Sequence, residues 1–173
     1  MDSPSASNSL AQDSAIVSAS NDPKYFMQRA LDEARKCTPS LSAFSVGAVL
    51  VDLATKKVVA TGFSREREGN THAEEVCFIK FDEDEQALSH QSGGQYALYT
   101  TMEPCTERLS GKKPCLDRII QFGRISTVYV GCKEPSTFIA ENTATKRLPD
   151  NGIQYLSVDG MGPECLEVAK MGH

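Results

Sequence analysis

No run in this 173-residue chain approaches the roughly 18 consecutive apolar residues that a bilayer-spanning helix needs, which excludes a helical membrane protein. Basic residues are scarce. Lys and Arg number 18 against 23 Asp and Glu, and a net charge of −5 argues against a surface built to coat nucleic acid. The first 22 residues contain no Lys or Arg and no apolar segment, so they do not read as a secretory signal peptide. Residues 1–20 hold no aromatic side chain and seven serines, and cannot bury enough apolar area to offset ordering; they are expected to form a flexible tail. Internal repeats are absent. With 40% apolar and 24% charged residues, residues 21–173 are expected to form one globular domain. Six cysteines without a signal peptide read as reduced thiols in the cytoplasm or nucleus, where they serve as metal ligands or catalysts more often than as disulfides.

What is present follows an alternating pattern. Asn21-Asp22-Pro23 is an N-cap followed by a first-turn proline, and Tyr25, Phe26, Ala30, Leu31 and Ala34 recur at helical spacing, predicting a helix over about 23–37. Residues 45–52 and 58–63 are Val-rich strands joined by a Thr55-Lys56-Lys57 turn. Thr71 with Glu74 three residues on has the form of a capping box, predicting a helix from His72 to about residue 81, with the acidic 82–85 run as a separator. Further strands are expected over 96–101, 127–131 and 153–157, and helices over 115–122 and 164–170. This order describes an α/β sheet with helices on both faces.

The chemistry concentrates at two places. His72-Ala73-Glu74 opens one helix, and Pro104-Cys105, with Cys115, follows a strand before the next. One imidazole and two thiolates are three ligands for Zn²⁺ that leave a fourth position open, as catalytic rather than structural zinc sites do. Cysteines near helix N-termini favour the thiolate. Glu74 is not needed as a ligand. On a regular helix it points about 200° away from His72, yet at the first turn both can border one cavity. Its expected role is to take a proton from water and give it to a ring nitrogen, and then to protonate a leaving amine. The remaining cysteines, Cys37, Cys77, Cys132 and Cys165, read as packing residues, and His90 and His173 as solvated.

His-x-Glu followed by Pro-Cys is the order of the zinc deaminase signature, but nine residues separate Cys105 from Cys115 where that signature has two. A loop, Thr106 to Pro114, must therefore return the second thiolate to the metal. The runs Gly69-Asn70-Thr71-His72-Ala73-Glu74 and Leu98 to Cys105, with the distant Pro114-Cys115, resemble the cytidine deaminase superfamily. Arg108-Leu109-Ser110-Gly111-Lys112-Lys113-Pro114-Cys115 and Gly62-Phe63-Ser64-Arg65-Glu66 narrow the resemblance to the fungal deaminases of riboflavin biosynthesis. The resemblance covers about residues 23–160.

That resemblance implies a three-layer α/β/α sandwich, a mixed five-stranded sheet in order 2-1-3-4-5, and a homodimer. It implies deamination of 2,5-diamino-6-ribitylamino-4(3H)-pyrimidinone 5′-phosphate, with no nucleic acid or membrane partner. Bacterial relatives carry a reductase domain after the deaminase, for which the dozen or so residues after Gly160 leave no room, and some fungal relatives carry the domain behind a pseudouridine synthase. Bacterial relatives also have Pro-Asn-Pro where Ala43-Phe44-Ser45 stands here. For the ring, Asn70 and Phe44 are candidate contacts; for the phosphate, Arg108, Lys112 and Lys113 around Ser110-Gly111, with Arg65, Arg67 and Lys133 next. Competing functions are a zinc deaminase of another nucleobase, nucleoside or nucleotide, and a zinc module used only for binding. A deaminase acting on tRNA, one form of the first, should show a basic stripe that this acidic chain lacks, and the second has no use for Glu74.

Overall fold

The computed structural model describes residues 21–88, 93–135 and 142–171, with the side chains of 85–88 left aside. The Ser-rich 1–20 segment, His90 and His173 lie outside these residues. Five strands form one sheet in the order β2-β1-β3-β4-β5, as the resemblance implies. β1 (Gly47–Asp52) pairs antiparallel with β2 (Val58–Phe63) and β3 (Tyr96–Met102), while β3, β4 (Ile125–Cys132) and β5 (Gln154–Ser157) run parallel. At the hairpin, Asp52 Oδ1 accepts from the amides of Ala54 and Thr55, and Lys56 takes a left-handed φ of 57°. Every residue of β3 is buried, because helices cover both faces of the sheet.

One face carries α1 (Pro23–Ala34) and α5 (Gly162–Ala169), whose Phe26, Met27, Leu31 and Val168 pack on Val49, Val51 and Tyr99. The other carries α2 (Ala73–Leu88), α3 (Cys115–Phe122) and α4 (Ala144–Asp150), where Phe78, Leu116, Ile119 and Leu148 meet Leu50, Leu98 and Val128. Asp22 caps α1 by accepting from the Lys24 amide at 2.9 Å. Gly62 has a positional reason: a Cβ there would stand 2.3 Å from the Ala73 carbonyl oxygen, so its absence lets the first turn of α2 lie directly on β2.

Several boundaries differ from the sequence reading. α1 ends at Ala34 rather than 37, since Lys36 and Cys37 bond back three residues, to Glu33 and Ala34, in turns ahead of Thr38-Pro39. α2 continues through the acidic run to Leu88. Asp82, Glu83 and Asp84 form its exposed face, and Glu83 takes a two-pronged ion pair from Arg67 at 2.8 and 2.7 Å. α4 was expected as a connection only. It is seven residues long, includes Pro149 and buries only Ala144 and Leu148, one turn apart, too short a pattern to read by periodicity. The parallel strands β3 and β4 end side by side, and the chain leaving them, with the start of α2, builds a cleft outside their carboxyl ends.

Candidate active site

The cleft has a volume of about 180 Å³, and His72, Glu74 and Cys105 line it together with Asn70, Phe44 and Glu134. His72 stands one residue before α2, so the regular-helix angle that would separate it from Glu74 does not apply. Thr71 does not cap the helix: its hydroxyl is engaged with the Arg67 backbone in the preceding loop. The carboxylate that reaches back is Glu75, whose Oε2 accepts from the His72 amide at 3.3 Å, the glutamate half of a capping box one position later than expected. Glu74 is thereby left to face the cleft. Gly69 and Asn70, both left-handed at φ 87° and 54°, form the turn that brings His72 in.

Cys105 follows β3, and Cys115 is the first residue of α3, whose N-cap is Pro114. Pro104 lies in the loop between β3 and α3. The loop between the cysteines folds back so that the Cys115 amide donates to Cys105 Sγ at 3.4 Å and the Leu116 amide to the Cys105 carbonyl at 3.1 Å. His72 Nδ1 lies 3.5 Å from each sulfur, and the three donor atoms stand within 4.8 Å of one another. A nitrogen at about 2.05 Å and a sulfur at about 2.3 Å from one tetrahedral centre are about 3.6 Å apart, so this donor set fits Zn²⁺.

The electrostatics agree. Burial and the charge of Cys105 raise the Glu74 carboxyl above its ordinary range. A hydrogen bond from Cys115, joined by His72, pulls the Cys105 thiol down to about 4 against the cost of burial, so the pocket stabilises a thiolate facing its partners. Burial works against the His72 imidazolium, but Cys105 outweighs it and moves His72 up. Cys115 is driven well up by the Cys105 bond and by burial. Protons here balance electron-rich donors that a divalent cation would balance when bound.

Thr100 and Glu134 stand near Glu74 as well. The Thr100 hydroxyl, fully buried on β3, lies 2.9 Å from the Met102 carbonyl and 3.3 Å from Glu74 Oε1. Glu134, after β4, has Oε2 held by Asn142 at 2.8 Å, and burial raises it to about 7. Its amide donates to Glu103, which also takes the Tyr155 hydroxyl at 3.1 Å. Only the fold brings residues 134, 142 and 155 to the Pro104-Cys105 loop.

The remaining candidates divide. Asn70, Phe44, Arg65 and Arg108 line the cleft, whereas Lys112, Lys113, Arg67 and Lys133 are not among its lining residues. The Arg108 side chain is 2% exposed and ion-paired with Glu75. Lys112 reaches the Gly69 carbonyl, Lys113 reaches Gln121 and Arg67 is paired with Glu83. Arg65 donates to the carbonyls of Phe44 and Thr38 at 3.1 and 2.8 Å, fixing the loop that carries Phe44.

An open His/Cys/Cys donor set with a buried glutamate beside it, on this sheet, defines a zinc-dependent hydrolytic deaminase. Residues 20–132 match the cytidine and deoxycytidylate deaminase zinc-binding region, and the chain belongs to that family. The diaminohydroxyphosphoribosylamino-pyrimidine deaminase of Schizosaccharomyces pombe is 42% identical over 148 residues, 86% of this chain and 35% of that protein. The chain thus spans about a third of the length of that curated relative. Among solved structures, a C-terminal deletion mutant of Aspergillus oryzae Rib2 deaminase in complex with DARIPP superposes with a TM-score of 0.74 at 35% identity, over 87% of this chain and 91% of the other. The Thermotoga maritima deaminase/reductase gives 0.66 at 26% identity, over 86% and 39%. Within the family the chain is similar to the Rib2 deaminase structures over most of both chains.

Proposed function

We propose that the chain converts 2,5-diamino-6-ribitylamino-4(3H)-pyrimidinone 5′-phosphate to the corresponding carbonyl compound, releasing ammonia. The observation that carries this is Glu74, buried at the cleft floor beside three zinc donors that leave one position open. When bound by His72, Cys105 and Cys115, zinc supplies Lewis acidity that lowers the pKa of water to roughly 7. Glu74 takes the proton released as water adds to the amino-bearing ring carbon, and its raised pKa suits holding it. It passes that proton to the ring nitrogen, takes a second from the hydroxyl now on the ring carbon and gives it to the departing amine, so that C–N breaks as the carbonyl forms. Thr100 beside Oε1 fixes the carboxyl during both transfers.

Asn70 and Phe44 supply the ring contacts in this reading, a polar group at the left-handed turn and a flat wall. The phosphate is assigned to the 108–113 loop, where Lys112 is the exposed cation beside the cleft turn at Gly69. The same reading carries a homodimer in the cytoplasm, and the six cysteines are free thiols. No helix among the described residues is long and apolar enough to cross a membrane.

The sugar provides the test. The Arg108 to Cys115 run that resembles the fungal form supports an open ribityl chain, while the Schizosaccharomyces pombe relative, 42% identical, is named for a phosphoribosylamino compound. A site built to bond ribityl hydroxyls leaves its own polar groups unpaired when the ring form binds. With both compounds at equal concentration, kcat/KM for the ribitylamino phosphate should exceed that for the ribosylamino phosphate by about tenfold or more, read from products separated by mass. Preference for the ribosyl compound would overturn the substrate assignment.

A further inference from the structure

The three zinc ligands come from separate pieces of chain: the start of α2, the end of β3 and the start of α3. One side chain ties them together. Glu75 bonds the His72 amide and Arg108 through Oε2, at 3.3 and 2.9 Å, and Arg118 through Oε1 at 2.7 Å. Arg108 lies in the loop between the two cysteines, and Arg118 is on α3, three residues after Cys115. Arg108 also donates to the Asn70 carbonyl at 2.7 Å, holding the left-handed residue that precedes Thr71-His72. With side chains 2% and 10% exposed, the Arg108–Glu75 pair is shielded from the solvent that weakens surface ion pairs. This explains a cation in the cleft wall that is already committed to an internal carboxylate.

We infer that Glu75 is a positioning residue, which sets the separation of His72, Cys105 and Cys115 by clamping the inter-cysteine loop and α3 to the first turn of α2. The inference rests on the zinc-deaminase reading of the site. It gives the nine-residue loop a function: its length allows Arg108 to enter the protein and reach Glu75 while both cysteines remain at the metal site. Glu75 is not among the donor atoms and acts through the His72 backbone amide and two guanidinium groups.

The test is capture of zinc from the zinc-loaded protein by a chromogenic chelator, at a temperature well below the melting transition. E75Q keeps the shape but deprives two arginines of their counter-charge. E75Q/R108Q removes both members of the buried pair and leaves only Arg118, 28% exposed, without its counter-charge, so the fold is retained even where the single variant is too unstable to purify. The double variant should release zinc about tenfold faster than wild type with an unchanged far-ultraviolet dichroism spectrum, the scale expected when groups that orient metal ligands are lost. Where E75Q and R108Q purify singly, each should also be about tenfold faster, and the double no more than that, because both cut the same link. Zinc release at the wild-type rate from the double variant would overturn the inference, as would a hundredfold effect from independent singles. A wild-type protein that holds no zinc would instead overturn the reading of the site, which keeps the two failures apart.

Discussion

Glu74→Gln lowers kcat by at least about a hundredfold while zinc stays at one per chain and the melting temperature changes little, because the amide keeps the shape and removes only proton transfer. A hundredfold is about 2.7 kcal/mol of transition-state stabilisation. Glu74 is 3% exposed, and its carboxyl is raised above the ordinary range by burial and the adjacent Cys105. Both features suit a group that must take a proton and return it within one turnover. An amide oxygen at the position of Oε1 can still accept from Thr100, so the local packing survives. Single-turnover kinetics with metal content measured on the same sample checks the result. A variant within a few-fold of wild type would remove Glu74 from the mechanism.

His72→Ala and Cys115→Ala should each take bound zinc from about one equivalent to near zero and abolish turnover, since two remaining protein donors do not make a catalytic zinc site. Cys77→Ala is the matched control. Cys77 is as buried as Cys115, but its sulfur donates to the Ala48 carbonyl at 3.3 Å and stands outside the donor cluster, so that variant should retain zinc. Metal analysis after gel filtration, without chelator in the buffers, separates the cases. Full zinc in Cys115→Ala would show that the ligand set is wrong.

The site was legible where the chemistry is local in sequence. His72, Glu74, Cys105 and Cys115 announce themselves through residue type and spacing, and the fold places three of them on one cleft wall with Cys115 against them. The long strands and α1 were legible because their apolar patterns repeat over a turn or more. The capping glutamate was misassigned to Glu74 because its identity depends on where the helix begins. Thr71 looks like an N-cap until the Arg67 backbone claims its hydroxyl. In the sequence Arg108 reads as a candidate phosphate contact beside Gly111 and two lysines, and only a partner 33 positions upstream reveals its burial. The acidic tail of α2 reads as a break when its solvent face is considered without Arg67, which pairs with it. Glu134 enters the site through strand pairing between β3 and β4, which no local motif encodes.

The most direct measurement is turnover itself. The zinc-loaded protein, incubated with 2,5-diamino-6-ribitylamino-4(3H)-pyrimidinone 5′-phosphate, should release one ammonia per product and give a mass gain of about one unit, the difference between an amine and a carbonyl at one ring carbon. Removal of zinc by a chelator should stop the reaction, and added zinc should restore it. An unchanged substrate mass and no ammonia, from protein carrying one zinc per chain, would contradict the account.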